Sequence, residues 1–424
     1  MKIWQTFKEI FTTPDLKKKI LWAIGLLVIA RILAHVPLPG VDIEALRGFF
    51  GRNQIFGLLN MFSGGAMENF SIIMMGVGPY ITASIIIQLL TMVIPALDEI
   101  NKEGESGREK INYWTRIISV PLAIVNSYGM IKILQSQQIL SNLEPMQWAT
   151  ILISITAGTI LLMWIGELIT ENGIGNGISL LIGLGILSGI PTQLRNTIAV
   201  LDTTKIIGLL AFAVIAVLVI VAIILANEGM RQIPVTYARR MRGNQSSGGI
   251  DTYLPIRVNS AGVIPIIFAM SMMIFPGVIA KFFETARSPW LAEGAKNIAN
   301  LFQNNLFYGI VYFVLVILFT FFYTGVIFKP DQMSENLQKQ GGFIPGIRPG
   351  RETTEYLGRI ISRITLTGAV FLGVIAVLPF VVQAATNINT MVLGGTGILI
   401  MVSVIIETMR QIQAQLAMRA YENY

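Results

Sequence analysis

Long apolar runs separated by short polar stretches dominate the chain. Ten such runs cover residues 20–36, 72–94, 115–134, 149–170, 174–190, 205–226, 259–280, 304–328, 358–380 and 392–412. Most approach the roughly 20 residues that a helix needs to cross about 30 Å of hydrocarbon. Two places depart from the rule. The fifth run is short and contains Gly173, Gly175, Gly177, Gly183, Gly185 and Gly189, and the second is preceded by a half-apolar stretch, 55–70, too short to span. The start of the chain imitates a secretory signal, with Lys17, Lys18 and Lys19 ahead of an apolar run. Arg31 interrupts that run and no small-residue cleavage pattern precedes Pro37, so the expectation is a retained first span.

Charge orients the runs. With the amino terminus in the cytoplasm, 22 of the 31 Lys and Arg residues fall on that side and 8 on the other, leaving Arg31 unassigned. This bias places both ends in the cytoplasm. The expected fold is an all-α membrane protein of about ten transmembrane helices in two pseudo-symmetric halves of five. It divides into a cytoplasmic tail 1–19, a first half 20–190, a second half 205–412 and a cytoplasmic tail 413–424. The long cytoplasmic connections 227–258 and 328–358 are basic, rich in Gly or Pro, and longer than neighbouring helices require. A faint repeat relates the halves. Gly76-Val77-Gly78-Pro79-Tyr80-Ile81 parallels Ala261-Gly262-Val263-Ile264-Pro265-Ile266-Ile267, and Gly175-Asn176-Gly177-Ile178 parallels Gly394-Gly395-Thr396-Gly397-Ile398. Five plus five spans of opposite entry side is an inverted-topology arrangement, with a pathway at the interface.

Composition agrees with lipid rather than water as the main surroundings. Hydrophobic residues make up 53% and charged residues 13%, against about 25% charged in soluble domains, and the mean hydropathy is +0.66. Cysteine is absent and His35 is the one histidine, which excludes disulfides, thiolate nucleophiles and multi-histidine metal sites. No Gly-Lys pair exists to close a phosphate-cradling loop. The expectation is no cofactor and no enzyme, with energy supplied by another protein. The net charge of +7 follows largely from the loop bias and needs no ligand.

Ionisable side chains within the spans are few. Arg31, Glu167 and Glu407 stand near span ends, and Glu407 has Arg410 three residues on, an ordinary helix pair. Isoleucine occupies the midplane instead. Ile81 and Ile85 lie four apart on the second span, Ile182 and Ile186 four apart on the fifth, with Ile267 and Ile400 on the seventh and tenth. An i, i+4 pair shares a helix face, so four helices could present a ring of stiff apolar side chains that excludes water. Isoleucine is abundant in any spanning helix, and on these residues alone lipid-facing or packing roles outweigh the ring. Segment 55–70 reads as one or two helical turns before a Gly64-Gly65 hinge, either a surface helix or a stopper that moves as a unit. In Gly346-Ile347-Arg348-Pro349-Gly350 a tight turn displays Arg348 at a loop tip, where a guanidinium suits a carboxylate or phosphate.

Several of these stretches together resemble one family. Asn60-Met61-Phe62-Ser63-Gly64-Gly65, Pro79 to Leu90, Gly173-Ile174-Gly175-Asn176-Gly177-Ile178-Ser179, Ala261 to Pro265 and Pro345 to Gly350 are similar to the SecY family of bacterial translocase channel subunits, in the right order from about residue 10 to 424. The resemblance implies an hourglass-shaped protein-conducting channel in the bacterial plasma (inner) membrane. It would pass unfolded secretory chains outward and release hydrophobic segments sideways into lipid. The pore ring implied by the resemblance is Ile81, Ile85, Ile182, Ile186, Ile267 and Ile400. The plug falls on about 55–69, with Ile55, Phe56, Leu58, Leu59, Asn60, Met61, Phe62, Ser63, Gly64 and Gly65, and the lateral gate between spans two and three and spans seven and eight. Arg239, Arg240 and Arg242, with Arg348 and Arg351, fall on the loops that family members offer to partners. Those partners are the SecA ATPase and the ribosome, beside the small subunits SecE and SecG, precursor chains and membrane lipid. Loop 101–114 and segment 281–303 match no motif. The competing reading, a secondary transporter of a small solute, requires a polar pocket at the midplane where this sequence has isoleucine.

Overall fold

The computed structural model describes residues 13–52, 60, 63–140, 144–199, 206–237, 241–242, 245–246, 251–283, 288–386 and 392–422. Every apolar run has a helix. The first half contains α1 (Pro14–Leu33), α2 (Ile43–Arg52), α3 (Gly78–Val93), α4 (Pro95–Lys102), α5 (Glu105–Ser136), α6 (Pro145–Asn172) and α7 (Gly177–Ala199). The second opens with α8 (Ile206–Glu228) and the strands β1 (Met230–Tyr237), β2 (Met241–Arg242), β3 (Gln245–Ser246) and β4 (Asp251–Arg257). There follow α9 (Ile264–Phe283), α10 (Pro289–Gln303), α11 (Asn305–Ile327), α12 (Pro330–Lys339), β5 (Gly342–Phe343), α13 (Arg351–Thr386) and α14 (Val392–Glu422).

Among the described residues, five segments are long and apolar enough to cross a membrane by length and composition: Glu105–Gln135, Pro145–Asn172, Leu306–Lys339, Arg351–Leu378 and Gly397–Met418. The pair α3 and α4, bent by 103°, makes a sixth if taken as one span. Charge sets one of the others apart, because helix α1 holds Lys17, Lys18, Lys19 and Arg31. The described apolar stretches Gly177–Pro191, Val214–Glu228 and Ile264–Met273 are shorter. The glycines of the fifth run do not shorten it. The irregular backbone is confined to Gly173–Asn176, after which α7 continues to Ala199.

Outward faces suit hydrocarbon. On α8, Val217, Leu218 and Leu225 are 60%, 62% and 68% exposed, a display that water would penalise and lipid does not. Inward, the main core joins both halves, with Leu26, Ile73, Leu162 and Ile182 packed in one cluster with Ile267, Tyr312, Leu372 and Ile400. Close backbone approach makes this possible. A Cβ on Gly158 would lie 2.2 Å from the Ile72 carbonyl oxygen, and one on Gly177 would lie 1.9 Å from that of Gly166, so only glycine fits at either place.

Three expectations need correction. Residues 105–114 are not loop but the first turns of α5, which starts after Gly104 and runs on to Ser136. The connection 227–258 is largely sheet. Strand β1 pairs antiparallel with β4 from Met230↔Arg257 to Thr236↔Asp251, and with β5 at Thr236↔Phe343 and Tyr237↔Gly342, so the protein is not wholly helical. The two long connections therefore form one packed unit over Ile233, Val235, Ile256, Leu337, Ile344 and Leu357. Finally, Arg410 does not hydrogen-bond Glu407. Its Nη2 donates to the Asn227 carbonyl and, at 2.8 Å, to Glu228 Oε1, because the free carbonyls and carboxylate at the end of α8 offer a cation more than one helical neighbour does.

Candidate functional site

The six isoleucines singled out in the sequence come together. Helix α3 supplies Ile81 and Ile85, α7 supplies Ile182 and Ile186, α9 supplies Ile267 and α14 supplies Ile400. None is more than 9% exposed, and all six belong to one apolar cluster. Helix α9 packs against α3 and α5, and α14 against α7, so the cluster lies where the halves meet. Branching at Cβ leaves each isoleucine few rotamers in a helix, which makes a wall of them stiff.

Next to this wall is a cavity of about 50 Å³, lined by Ile81, Ile182 and Ile267 on one side and by Ser63 and Met67 on another. Methionine, valine and glycine complete most of its surface, so the polar midplane pocket required by a small-solute carrier is absent from it.

Ser63 and Met67 belong to a run of tight turns. Gly64 and Gly65 have φ of +68° and +79°, left-handed values that glycine adopts without a Cβ penalty. Asn60 laces the turns together. Its carbonyl accepts from Gly65 N and from Ser63 Oγ, both at 2.9 Å, and its side-chain oxygen accepts from Glu68 N at 3.0 Å. Downstream, Ile72 N donates to the Val36 carbonyl at 3.1 Å and Leu38 N donates to that of Phe70 at 2.8 Å. The segment is thus stitched to the strand-like chain after α1.

Two further contacts seat it, and neither was read from the sequence. The Arg31 guanidinium donates to the Gly64 carbonyl. A Cβ on Gly64 would stand 2.8 Å from the Cα of Gly185, which lies on α7 between Ile182 and Ile186. Among the plug residues named above, Ile55, Phe56, Leu58, Leu59, Met61 and Phe62 lie outside the described residues.

At the other end of α3 the chain turns into α4, and polar contacts replace apolar ones. Lys329 Nζ meets Asp98 Oδ1 at 2.9 Å, while Lys102 meets Oδ2 at 2.7 Å. These hydrogen bonds, first from Lys102 and then from Lys329, hold the Asp98 carboxyl below the usual carboxylate range. The bond to Lys329, at the start of α12, joins the first half to the second. Within the first half, Arg116 Nε meets Glu167 Oε1 at 2.6 Å, linking α5 to α6. Glu167 thus serves as a helix-to-helix ion-pair partner.

On the sheet side, the turn carrying Arg348 is built as its residues suggest. Gly346 and Gly350 have φ of +81° and +104°, Thr353 Oγ1 donates to the Arg348 carbonyl at 2.8 Å, and Ser334 Oγ donates to that of Gly350 at 2.9 Å. The Arg348 side chain is exposed. Arg351 is also exposed and pairs with Glu355 at 3.1 Å. Arg242 lies in β2, whereas Arg239 and Arg240 lie outside the described residues.

Comparison with known proteins identifies the family and the fold. The SecY family model matches residues 71–409. A relative from Streptomyces scabiei named protein translocase subunit SecY is 43% identical, with 99% of each chain covered. Among solved structures, a SecY channel whose plug domain is described as stabilising the closed state and maintaining a membrane seal superposes with a TM-score of 0.63. It is 20% identical and the match covers 93% of this chain and 91% of that one. Sec61 from the canine ribosome-channel complex of the endoplasmic reticulum superposes at 0.61 and is 18% identical, with the same coverage.

Proposed function

The chain belongs to the SecY family, and from that premise we propose that it is a protein-conducting channel whose seal is the isoleucine cluster. The observation that carries the reading is the convergence of six isoleucines from four helices, in both halves, on one buried cluster beside the Ser63–Met67 turns. An extended polypeptide exposes backbone groups that hydrocarbon cannot satisfy. A conduit for it must be wet on either side of a thin apolar neck, and only the neck must close. In this reading Ile81, Ile85, Ile182, Ile186, Ile267 and Ile400 are the neck, and about 55–69 are the plug. Separation of α3 and α5 from α9 and α11 opens the wall towards lipid.

In this reading the protein is a multi-pass protein of the bacterial inner membrane with both ends in the cytoplasm. The sheet formed by β1, β4 and β5 is a cytoplasmic platform. The exposed Arg348 on the turn after β5, together with Arg239, Arg240, Arg242 and Arg351 of the two long connections, receives the SecA ATPase or the ribosome. The ribosome-bound Sec61 likeness and the family resemblance support those partners, with SecE and SecG as small membrane subunits. Because no phosphate-cradling motif occurs in the sequence, the partner supplies the energy.

Replacing the six isoleucines with glycine tests the neck. Single-channel recording in planar bilayers should show ion leakage from a channel that is otherwise closed at rest. Wild-type conductance from a folded variant would remove the isoleucines from the seal.

A further inference from the structure

Arg31 is a cation two residues from the end of a largely apolar helix, and an arginine so placed is costly unless something binds it. The ordinary compensation is a carboxylate. Here the guanidinium donates instead to a main-chain carbonyl, that of Gly64. That carbonyl belongs to the left-handed turn of the Ser63–Met67 segment. The same Gly64 approaches the backbone of Gly185 so closely that a Cβ would have no room. Gly185 is flanked on α7 by Ile182 and Ile186, so the turn is fixed at the height of the neck. Helix α1, which carries the arginine, packs on both α6 and α7, giving the guanidinium a rigid base. A cavity of about 30 Å³ beside Arg31, Gly64 and Gly185 is roomy enough for a water to serve the other N–H groups of the guanidinium.

We propose that Arg31 is the latch of the plug: its bond to the Gly64 carbonyl seats the hinge on Gly185 beside the isoleucine neck, and the bond breaks when the plug leaves. The inference rests on the channel reading above. It makes Arg31 a positioning residue, acting on the seal through the plug rather than by lining the neck. The geometry explains the choice of partner. A neutral carbonyl binds the guanidinium through one hydrogen bond and can be released, whereas a carboxylate in apolar surroundings would bind it through a second charge and hold it.

The test is resting conductance of the full-length protein in planar bilayers. Removing a charge-assisted hydrogen bond should raise the frequency of open events in Arg31→Gln about tenfold or more. Arg31→Lys, which keeps the charge without the planar fork, should give a smaller rise. Deleting residues 55–69 gives the background that separates mechanism from general damage. If Arg31 works through the plug, Arg31→Gln adds nothing to the deletion. Wild-type conductance in both substitutions would overturn the latch, as would an equal added rise in the deletion background. Should Arg31→Gln not accumulate in the membrane, Arg31→Lys with and without the deletion decides by the same criterion. The isoleucine-to-glycine variant recorded alongside distinguishes the failures. If it leaks while the Arg31 variants do not, only the latch falls, and if neither leaks the conduit itself is wrong.

Discussion

Helix α3 meets the second half of the chain near its start and, through α4, beyond its end, and the two meetings are held by opposite means. At its start, Ile81 shares a cavity wall with Ile267, and the contact is apolar throughout the surrounding cluster. Beyond its end, across roughly 24 Å of helix, Asp98 on α4 reaches Lys329 through an ion pair whose partners are 35% and 28% exposed. An apolar contact between stiff side chains excludes water but has no directional bond to break. A partly solvated ion pair does the reverse, since it is directional, weak and open to competition by salt or by another charged surface. If the proposed reading holds, a closed channel needs the first at its neck and benefits from the second at the end where partners dock. The difference teaches that two consecutive helices, α3 and α4, bent by 103°, hold the second half through separate chemistries.

The largest effect that would break this contrast lies at the hinge. Gly64 and Gly65 are both left-handed, yet a Cβ on Gly64 meets Gly185 at 2.8 Å while one on Gly65 meets nothing within 4 Å. Gly65→Ala therefore carries only the backbone strain, about 1–2 kcal/mol. Gly64→Ala adds a backbone collision that no side-chain movement can relieve. Resting ion conductance should rise strongly in Gly64→Ala and only slightly in Gly65→Ala, and Gly65→Asn should be the mildest because asparagine tolerates the left-handed region. Equal conductance in the two alanine variants would show that contact with Gly185 does not contribute to the seal.

How much of this was legible beforehand follows from the range of each interaction. Run length alone put a helix on each apolar run, because helix formation is a local property of about 20 residues, while five described segments, or six with the bent pair, are long and apolar enough to span. The spacing of Ile81 with Ile85, and of Ile182 with Ile186, put each pair on one face for the same local reason. The tight turns at Gly64-Gly65 and Gly346–Gly350 were also readable, since glycine and proline act on their own dihedral angles. What stayed hidden joins residues far apart in sequence. Strand β1 alternates buried Ile233 and Val235 with exposed neighbours, but over so few residues, and around Pro234, that it read as loop. One of its partners, β5, lies about a hundred residues away. The same holds for Arg31 with Gly64, for Gly64 with Gly185, and for Arg410, whose hydrogen bond goes to a partner 182 residues distant. A local pattern shows that a glycine or an arginine is unusual in its place and not what it touches.

The gate end should respond more gently, and there the contrast can be sharpened. Lys329→Glu sets a like charge against Asp98, and Asp98→Lys with Lys329→Asp restores the pair with its signs exchanged. For partly exposed charges the interaction is worth about 0.2–1 kcal/mol, at most a severalfold change in population. Distances between spin labels on α4 and α12 should broaden towards longer values in Lys329→Glu, return in the swapped double variant, and converge at high salt as screening shortens to about 3 Å at 1 M. Acid gives the smallest effect and a check of sign. Because the Asp98 carboxyl is held below its ordinary range, the pair contributes in full above the ordinary carboxylate value of about 3.9. The contribution disappears as pH falls through the lowered value. The label distances should therefore be unchanged from pH 8 to 5 and lengthen only below about pH 4. A transition near neutrality would mean that some group other than Asp98 governs this end of the gate.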